Sequence, residues 1–100
     1  MQQANNLGAL AGVDHGFCAI NDPARPDEVF ICKQVHSASV IEGQPGQVAN
    51  TIEADAVFTH THQPIAVITA DCLPILFASK DAQQVAAVHG GWKGLQRGII

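Results

Sequence analysis

Short apolar segments of β-strand length are the feature that most restricts what this chain can fold into. Residues 65–70 (IAVITA) and 85–88 (VAAV) are apolar at nearly every position, which is typical of strands covered on both faces. β-Branched and aromatic residues indicate further strands at residues 28–35, 39–42, 55–59 and 74–78. A helix is predicted only at residues 92–100, running to the end of the chain. The pattern predicts an α/β fold.

The imbalance between strands and helices bears on the domain organisation. Strands that need cover on both faces, with almost no helix to supply it, indicate the N-terminal part of a larger α/β domain and no second domain. An intact domain of 100 residues is the alternative. Residues 1–13 are small and polar and predict an irregular lead-in, residues 14–20 favour an edge strand, and residues 21–27 favour a loop.

Composition and charge exclude several classes of function. With 47% apolar and 14% charged residues, the composition is that of a folded chain and not of a disordered one. Its net charge is −4 and its five basic residues are scattered, so nucleic acid and anionic membranes are not expected as partners. No apolar stretch approaches the roughly 20 residues of a membrane span. The first residues lack the pattern of a signal peptide, so the expected location is the cytoplasm.

Three cysteines, with no CxxC motif, argue against a disulfide framework. Each is then either a small core residue or a functional thiolate. We interpret Cys18 and Cys32 as core residues, because no acidic residue or histidine stands near them in a suggestive register.

Cys72 differs because it shares a local context with two histidines. His36, Cys72 and His89 each follow an apolar run of strand type, and strand ends are where α/β folds place functional groups. Two histidines and one cysteine suit zinc with an open fourth position, and copper can also bind such a set. Their spacing is no local ligand motif, however, and half-buried polar residues at strand ends are the competing interpretation.

Other polar residues have both a functional and a structural interpretation. Asp71 can orient a ligand or act as a general acid or base, or simply cap a tight turn. Trp92 lies either in the core under the new helix or in a pocket wall. The remaining candidates are expected to be structural or solvated, namely His15, Glu53, Asp55, and the His60 and His62 pair.

Four ordered segments resemble the YfiH-like family, whose members have been called laccase-domain or polyphenol oxidase proteins, zinc-dependent purine nucleoside phosphorylases and peptidoglycan editing factors. The segments are residues 34–36 (QVH), 53–56 (EADA), 69–76 (TADCLPIL) and 87–94 (AVHGGWKG). The resemblance implies a mixed β-sheet sandwich covered by helices. Residues 1–100 would then be an incomplete laccase-type catalytic domain.

The same resemblance implies a metal site and a reaction. Its ligands would be His36, Cys72 and His89, holding zinc or, alternatively, copper. The implied activity is phosphorolysis of adenosine, inosine or methylthioadenosine, together with adenosine deamination. Purine nucleoside and phosphate would be the partners of a chain expected to be monomeric.

Two groups of residues bear on substrate binding. Gly91, Trp92 and Lys93 are the candidate phosphate and substrate contacts, through backbone N–H groups and one ammonium group. Lys93 stands where the family usually has arginine, so a bidentate clamp becomes a point charge. Gly90 and Ser37 replace the commoner alanine and glycine.

Three alternatives remain open from the sequence. Cys72 and His89 can act as nucleophile and base of a metal-free hydrolase or amidase that edits peptidoglycan precursors. A polyphenol oxidase would need several clustered histidines, and the chain has a single HxH. An inactive fragment is the third alternative.

Overall fold

The structure of the protein is a computed structural model that describes residues 2–19, 22–23, 29–44, 51–70 and 72–100. Within these ranges the elements follow the order α1 (Asn5–Gly8), β1 (Phe30–Ile31), β2 (Val40–Glu42), β3 (Ala56–Thr59), β4 (Ile65–Ala66), β5 (Leu73–Ala78), β6 (Val85–Gly90) and α2 (Trp92–Gln96). The predicted α/β class is confirmed. Neither of the described helices has the length and apolar character needed to cross a membrane.

The strands form two sheets. The larger sheet has the order β2-β3-β6-β5, in which β2 runs parallel to β3 while β6 is antiparallel to both of its neighbours. The smaller sheet pairs β1 with β4 in parallel. Pro74 lies on β5 at the edge of the larger sheet, where a residue without an N–H group is tolerated.

The middle of the larger sheet is covered on both faces, as the apolar runs predict. Val57 and Ala87 are paired across β3 and β6 and pack with Phe30 and Cys32 from the region of the smaller sheet. The neighbouring positions point to the opposite face, where a second cluster contains Ala56, Val88 and Ile99. Alternate side chains of β3 and β6 therefore serve two separate cores.

The predicted strand over residues 65–70 is wrong beyond β4. Gln34 explains the early end, because its side-chain amide donates to the carbonyl of Ile68 (2.6 Å) and accepts from the Ile68 N–H group (2.8 Å). A side chain thus takes the hydrogen bonds that a neighbouring strand would have made. Ile68 is left 45% exposed rather than covered on both faces.

The two ends of the chain also differ from expectation. The predicted irregular lead-in contains α1, which is tied down where the Ala4 N–H group donates to Nε2 of His15 (2.9 Å). Phe17 makes an isolated bridge with Gln2 in place of an edge strand. The predicted loop over residues 21–27 lies mostly outside the described residues, as does residue 28. The predicted strand over 28–35 is wrong at its end, because β1 stops at Ile31 and the N–H group of Val35 donates to the Asp55 side chain instead of to a neighbouring strand.

The predicted helix over residues 92–100 ends early, at Gln96. Gly98 follows with a φ of 83°, a left-handed conformation that terminates helices and suits glycine. The reversal turns Ile99 back onto the sheet, where it is buried against Ala56 and Val88. The C-terminal residues therefore cover the second face of the sheet without a long helix.

Candidate metal centre

Three side chains from distant parts of the sequence converge at one end of the larger sheet. One possible ligand atom each from His36, Cys72 and His89 lies within 4.8 Å of the other two. His89 is buried near the end of β6, and Cys72 is half-buried immediately before β5. The antiparallel pairing of Leu73 with Gly90 brings the start of β5 beside the end of β6.

This placement corrects one expectation from the sequence. Cys72 does not follow a strand, because β4 ends at Ala66; it precedes β5 instead. His36 lies in the loop after β1 and is exposed, with a φ of 61°. The cluster is therefore built from one strand end, one strand start and one loop.

The donor set and its spacing fit a metal ion. Three atoms within 4.8 Å of one another have a common point no more than about 2.8 Å from each, and zinc takes nitrogen at about 2.0–2.1 Å and sulfur at about 2.3 Å. Small side-chain movements therefore suffice to form the site.

Gly91 keeps the space beside the cluster open. A Cβ atom at this position would lie 3.3 Å from Cδ2 of His36, 3.6 Å from Sγ of Cys72 and 3.8 Å from Cε1 of His89. A larger residue here would thus contact all three candidate ligands.

Asp55 is the buried charge behind the cluster, at 0% exposure. Its Oδ2 atom lies 2.7 Å from Nδ1 of His89 and accepts from the His36 N–H group (3.0 Å). Its Oδ1 atom accepts from the N–H groups of Val35 (3.1 Å) and Ser37 (2.8 Å) and from the Ser37 hydroxyl (2.8 Å). Successive N–H groups that surround an anion in this way form a backbone nest.

These contacts determine the charge of Asp55. Burial acts to raise the pKa of this carboxyl, but hydrogen bonds from Ser37, His89 and Val35 outweigh burial and hold the pKa well below its usual range. Asp55 is therefore an ionised carboxylate at neutral pH. Burial, aided by the negative charge of Asp55, raises the pKa of the Cys32 thiol.

Sequence reasoning missed the position of Asp55 in this site, since it expected this residue to be structural or solvated. A signal was available, because Asp55 lies between Ala54 and the apolar residues that begin β3, and buried charges are rare unless paired. Asp71, which was considered for the orienting role, lies outside the described residues.

The candidate substrate contacts follow the cluster along the chain. Gly91 is buried at the start of α2, whereas Trp92 is 71% exposed, so the interpretation of Trp92 as a core residue is wrong. The Lys93 ammonium nitrogen lies 5.7 Å from the centre of the Trp92 ring. An exposed aromatic face and a cation therefore stand together beside Gly91.

The remaining cysteines and histidines lie elsewhere. Cys32 is a core residue as predicted, but Cys18 is exposed and its assignment to the core is wrong. His60 and His62 are exposed, as expected, and Nδ1 of His60 lies 3.3 Å from a Glu42 carboxylate oxygen. His15 has the structural role already described.

Fold and site together define a mixed α/β protein with a candidate metal centre of two histidines and one cysteine. Residues 18–100 match the family model described as multi-copper polyphenol oxidoreductase laccase. The chain belongs to this family, which includes the YfiH proteins that its motifs resemble.

Relatives in bacteria carry a more specific name. The chain is 40% identical over 105 residues to "Purine nucleoside phosphorylase YfiH" of Shigella flexneri, with 95% of this chain and 42% of the relative covered. It is 42% identical over 76 residues to "Purine nucleoside phosphorylase" of Haemophilus influenzae, with 75% of this chain and 30% of the relative covered. The chain thus spans less than half the length of these relatives.

A solved structure supports the fold. The crystal structure of Neisseria meningitidis protein NMB0706, assigned to the DUF152 family, superposes with a TM-score of 0.62 at 39% identity. The alignment covers 71% of this chain and 29% of that protein.

Proposed function

We propose that this chain is part of a metal-dependent purine nucleoside phosphorylase that acts on adenosine, inosine and methylthioadenosine, with adenosine deaminase activity. The observation that carries the proposal is the convergence of His36, Cys72 and His89 on one point in a chain whose relatives are named purine nucleoside phosphorylases. Residues 1–100 would form one incomplete catalytic domain of a cytoplasmic enzyme.

The proposed metal is zinc. A bound zinc ion would act as a Lewis acid that stabilises developing negative charge on an oxygen atom. The thiolate of Cys72 and two imidazoles are ligands of a kind found in catalytic zinc sites. Copper accepts the same donors, so metal analysis must distinguish the two.

Residues beside the cluster supply contacts for substrate and phosphate. The exposed face of Trp92 is available to stack on a purine ring, and Lys93 carries a positive charge for phosphate. Gly91 keeps a side chain out of contact with the three candidate ligands. Asp55 lies 2.7 Å from Nδ1 of His89, so Nε2 is the ring nitrogen that remains for the metal.

A metal-free hydrolase is the second candidate, and one observation favours it. The arrangement matches a nucleophile (Cys72), a base (His89) and an orienting carboxylate (Asp55), and the base and the carboxylate lie 2.7 Å apart. Such an enzyme would cleave amide bonds of peptidoglycan precursors. It has no need of His36 as a ligand.

The test begins with metal analysis of the purified chain. Release of free base from adenosine, inosine and methylthioadenosine is then measured with and without phosphate, and ammonia release from adenosine reports deamination. We expect bound zinc, base release that requires phosphate, and loss of activity on chelation. A folded, zinc-loaded chain that releases neither base nor ammonia would contradict the proposal and support the inactive-fragment alternative.

Three variants distinguish the candidate functions and test the substrate contacts. H36A should abolish a metal enzyme and spare a thiol hydrolase. K93M should raise the KM for phosphate while K80M, which removes an exposed cation in a turn away from the cluster, should not. Equal effects of K93M and K80M would rule out Lys93 as the phosphate contact.

A further inference from the structure

We propose that Asp55 is a positioning residue that sets two of the three candidate ligands at once, His36 through its backbone and His89 through its ring. The inference rests on the metal site of the proposed function. Its basis is that one buried carboxylate hydrogen-bonds to both residues, although neither is adjacent to it in sequence.

The effect on His36 is conformational. A φ of 61° is unfavourable for a residue with a side chain. The N–H groups of Val35, His36 and Ser37 all donate to the Asp55 carboxylate, so the loop is wrapped around it. Asp55 thereby compensates the unfavourable backbone and presents the His36 side chain to the cluster.

The effect on His89 concerns the position of a proton. Both Asp55 oxygens already accept from N–H or hydroxyl groups of residues 35–37, so the carboxylate is arranged as an acceptor and the 2.7 Å contact favours the His89 proton on Nδ1. The lone pair is then on Nε2, the nitrogen left to bind a metal. Carboxylates commonly fix the tautomer of metal-binding histidines in this way.

Replacing Asp55 with asparagine reverses this arrangement with little change in size. Oδ1 accepts three hydrogen bonds and Oδ2 accepts two, so the amide oxygen should keep the Oδ1 position. The amide nitrogen then takes the Oδ2 position, where it faces Nδ1 of His89 as a donor and cannot accept from the His36 N–H group. The ring must carry its proton on Nε2, which removes the lone pair from the metal site.

The experiment uses the 100-residue chain labelled with ¹⁵N-histidine. Nuclear magnetic resonance of the metal-free protein identifies which ring nitrogen of His89 is protonated, and calorimetric titration measures zinc affinity. We expect Nδ1–H in the wild type and Nε2–H in D55N, with zinc affinity lowered about 10- to 100-fold. D81N is the matched control, because the Asp81 carboxylate also accepts from a serine hydroxyl and a backbone N–H group, but in an exposed turn; it should change neither quantity.

The wild-type spectrum decides the question even if D55N does not fold. A wild-type His89 protonated on Nε2, or a folded D55N that keeps both Nδ1–H and full zinc affinity, would overturn the role of Asp55. A wild type that shows Nδ1–H and binds zinc in an Asp55-dependent manner, but releases no purine base, would contradict the proposed function alone.

Discussion

Gly91 offers a way to damage the candidate metal centre without unfolding the protein. The substitution G91A adds one methyl group at a position where it contacts His36, Cys72 and His89 together. The backbone of Gly91 has a φ of −73°, which alanine adopts freely. Any loss of function in G91A would therefore come from the added atom and not from backbone strain.

The size of the effect follows from the distances. The new Cβ atom would lie 3.3 Å from the His36 ring, closer than the roughly 3.5–4.0 Å of an optimal carbon contact, so the ring must move by a few tenths of an ångström. Metal–ligand distances vary by only about 0.2 Å in a good site. We expect zinc affinity to fall about tenfold or more, equivalent to at least about 1.4 kcal/mol. Folding stability should change by less than about 1 kcal/mol.

Competition with a chromophoric chelator measures the zinc affinity, and thermal unfolding of the metal-free protein measures stability. G8A is the matched control, because a Cβ atom at Gly8 would meet only the edge of the His15 ring, at 4.0 Å. It should leave zinc affinity unchanged. If G91A is folded and binds zinc as tightly as the wild type, the three side chains do not form the site in the arrangement described here.

Two further predictions concern stability. In G94A the new Cβ atom would lie 2.7 Å from the Ser37 carbonyl oxygen, so we expect a loss of about 1–3 kcal/mol in thermal unfolding, whereas G8A should lose nothing; an unchanged melting temperature would contradict the packing of α2 on this loop. The pKa of Asp55 is lower in the folded chain than in the unfolded chain, so its contribution to stability is present above about pH 4 and is lost as the pH falls toward the folded-state pKa. Urea unfolding between pH 3 and 7 should show this decline in the wild type and a flatter profile in D55N, and equally steep profiles would refute it.

The sequence indicates the strands of the larger sheet because their pattern is local. The apolar residues of β3 and β6 alternate between two cores. Burial on both faces of a strand requires apolar residues at successive positions, and the sequence shows this directly as an apolar run. The early end of β4 was not predictable, because it depends on hydrogen bonds between Gln34 and Ile68, residues far apart in sequence. The same limit applies to Ile99, whose burial depends on the chain reversal at Gly98.

Residue type and family resemblance were enough to predict which side chains are candidate ligands, but not how they are arranged. Cys72 reaches the site through strand pairing between β5 and β6, which no local pattern specifies. The contacts of Asp55 with this site were missed for a related reason. Its partners are the His89 ring and the N–H groups of a loop about twenty residues away. A sequence does not show which backbone N–H groups will donate to a side chain, because every residue except proline has one.

X-ray absorption spectroscopy of the zinc-loaded chain tests the metal centre most directly. The account predicts one sulfur ligand at about 2.3 Å and two imidazole nitrogens at about 2.0–2.1 Å, with the sulfur lost in C72S and retained in C18S, which alters an exposed cysteine. A zinc ion surrounded by oxygen and nitrogen alone, or a sulfur shell that survives in C72S, would contradict it.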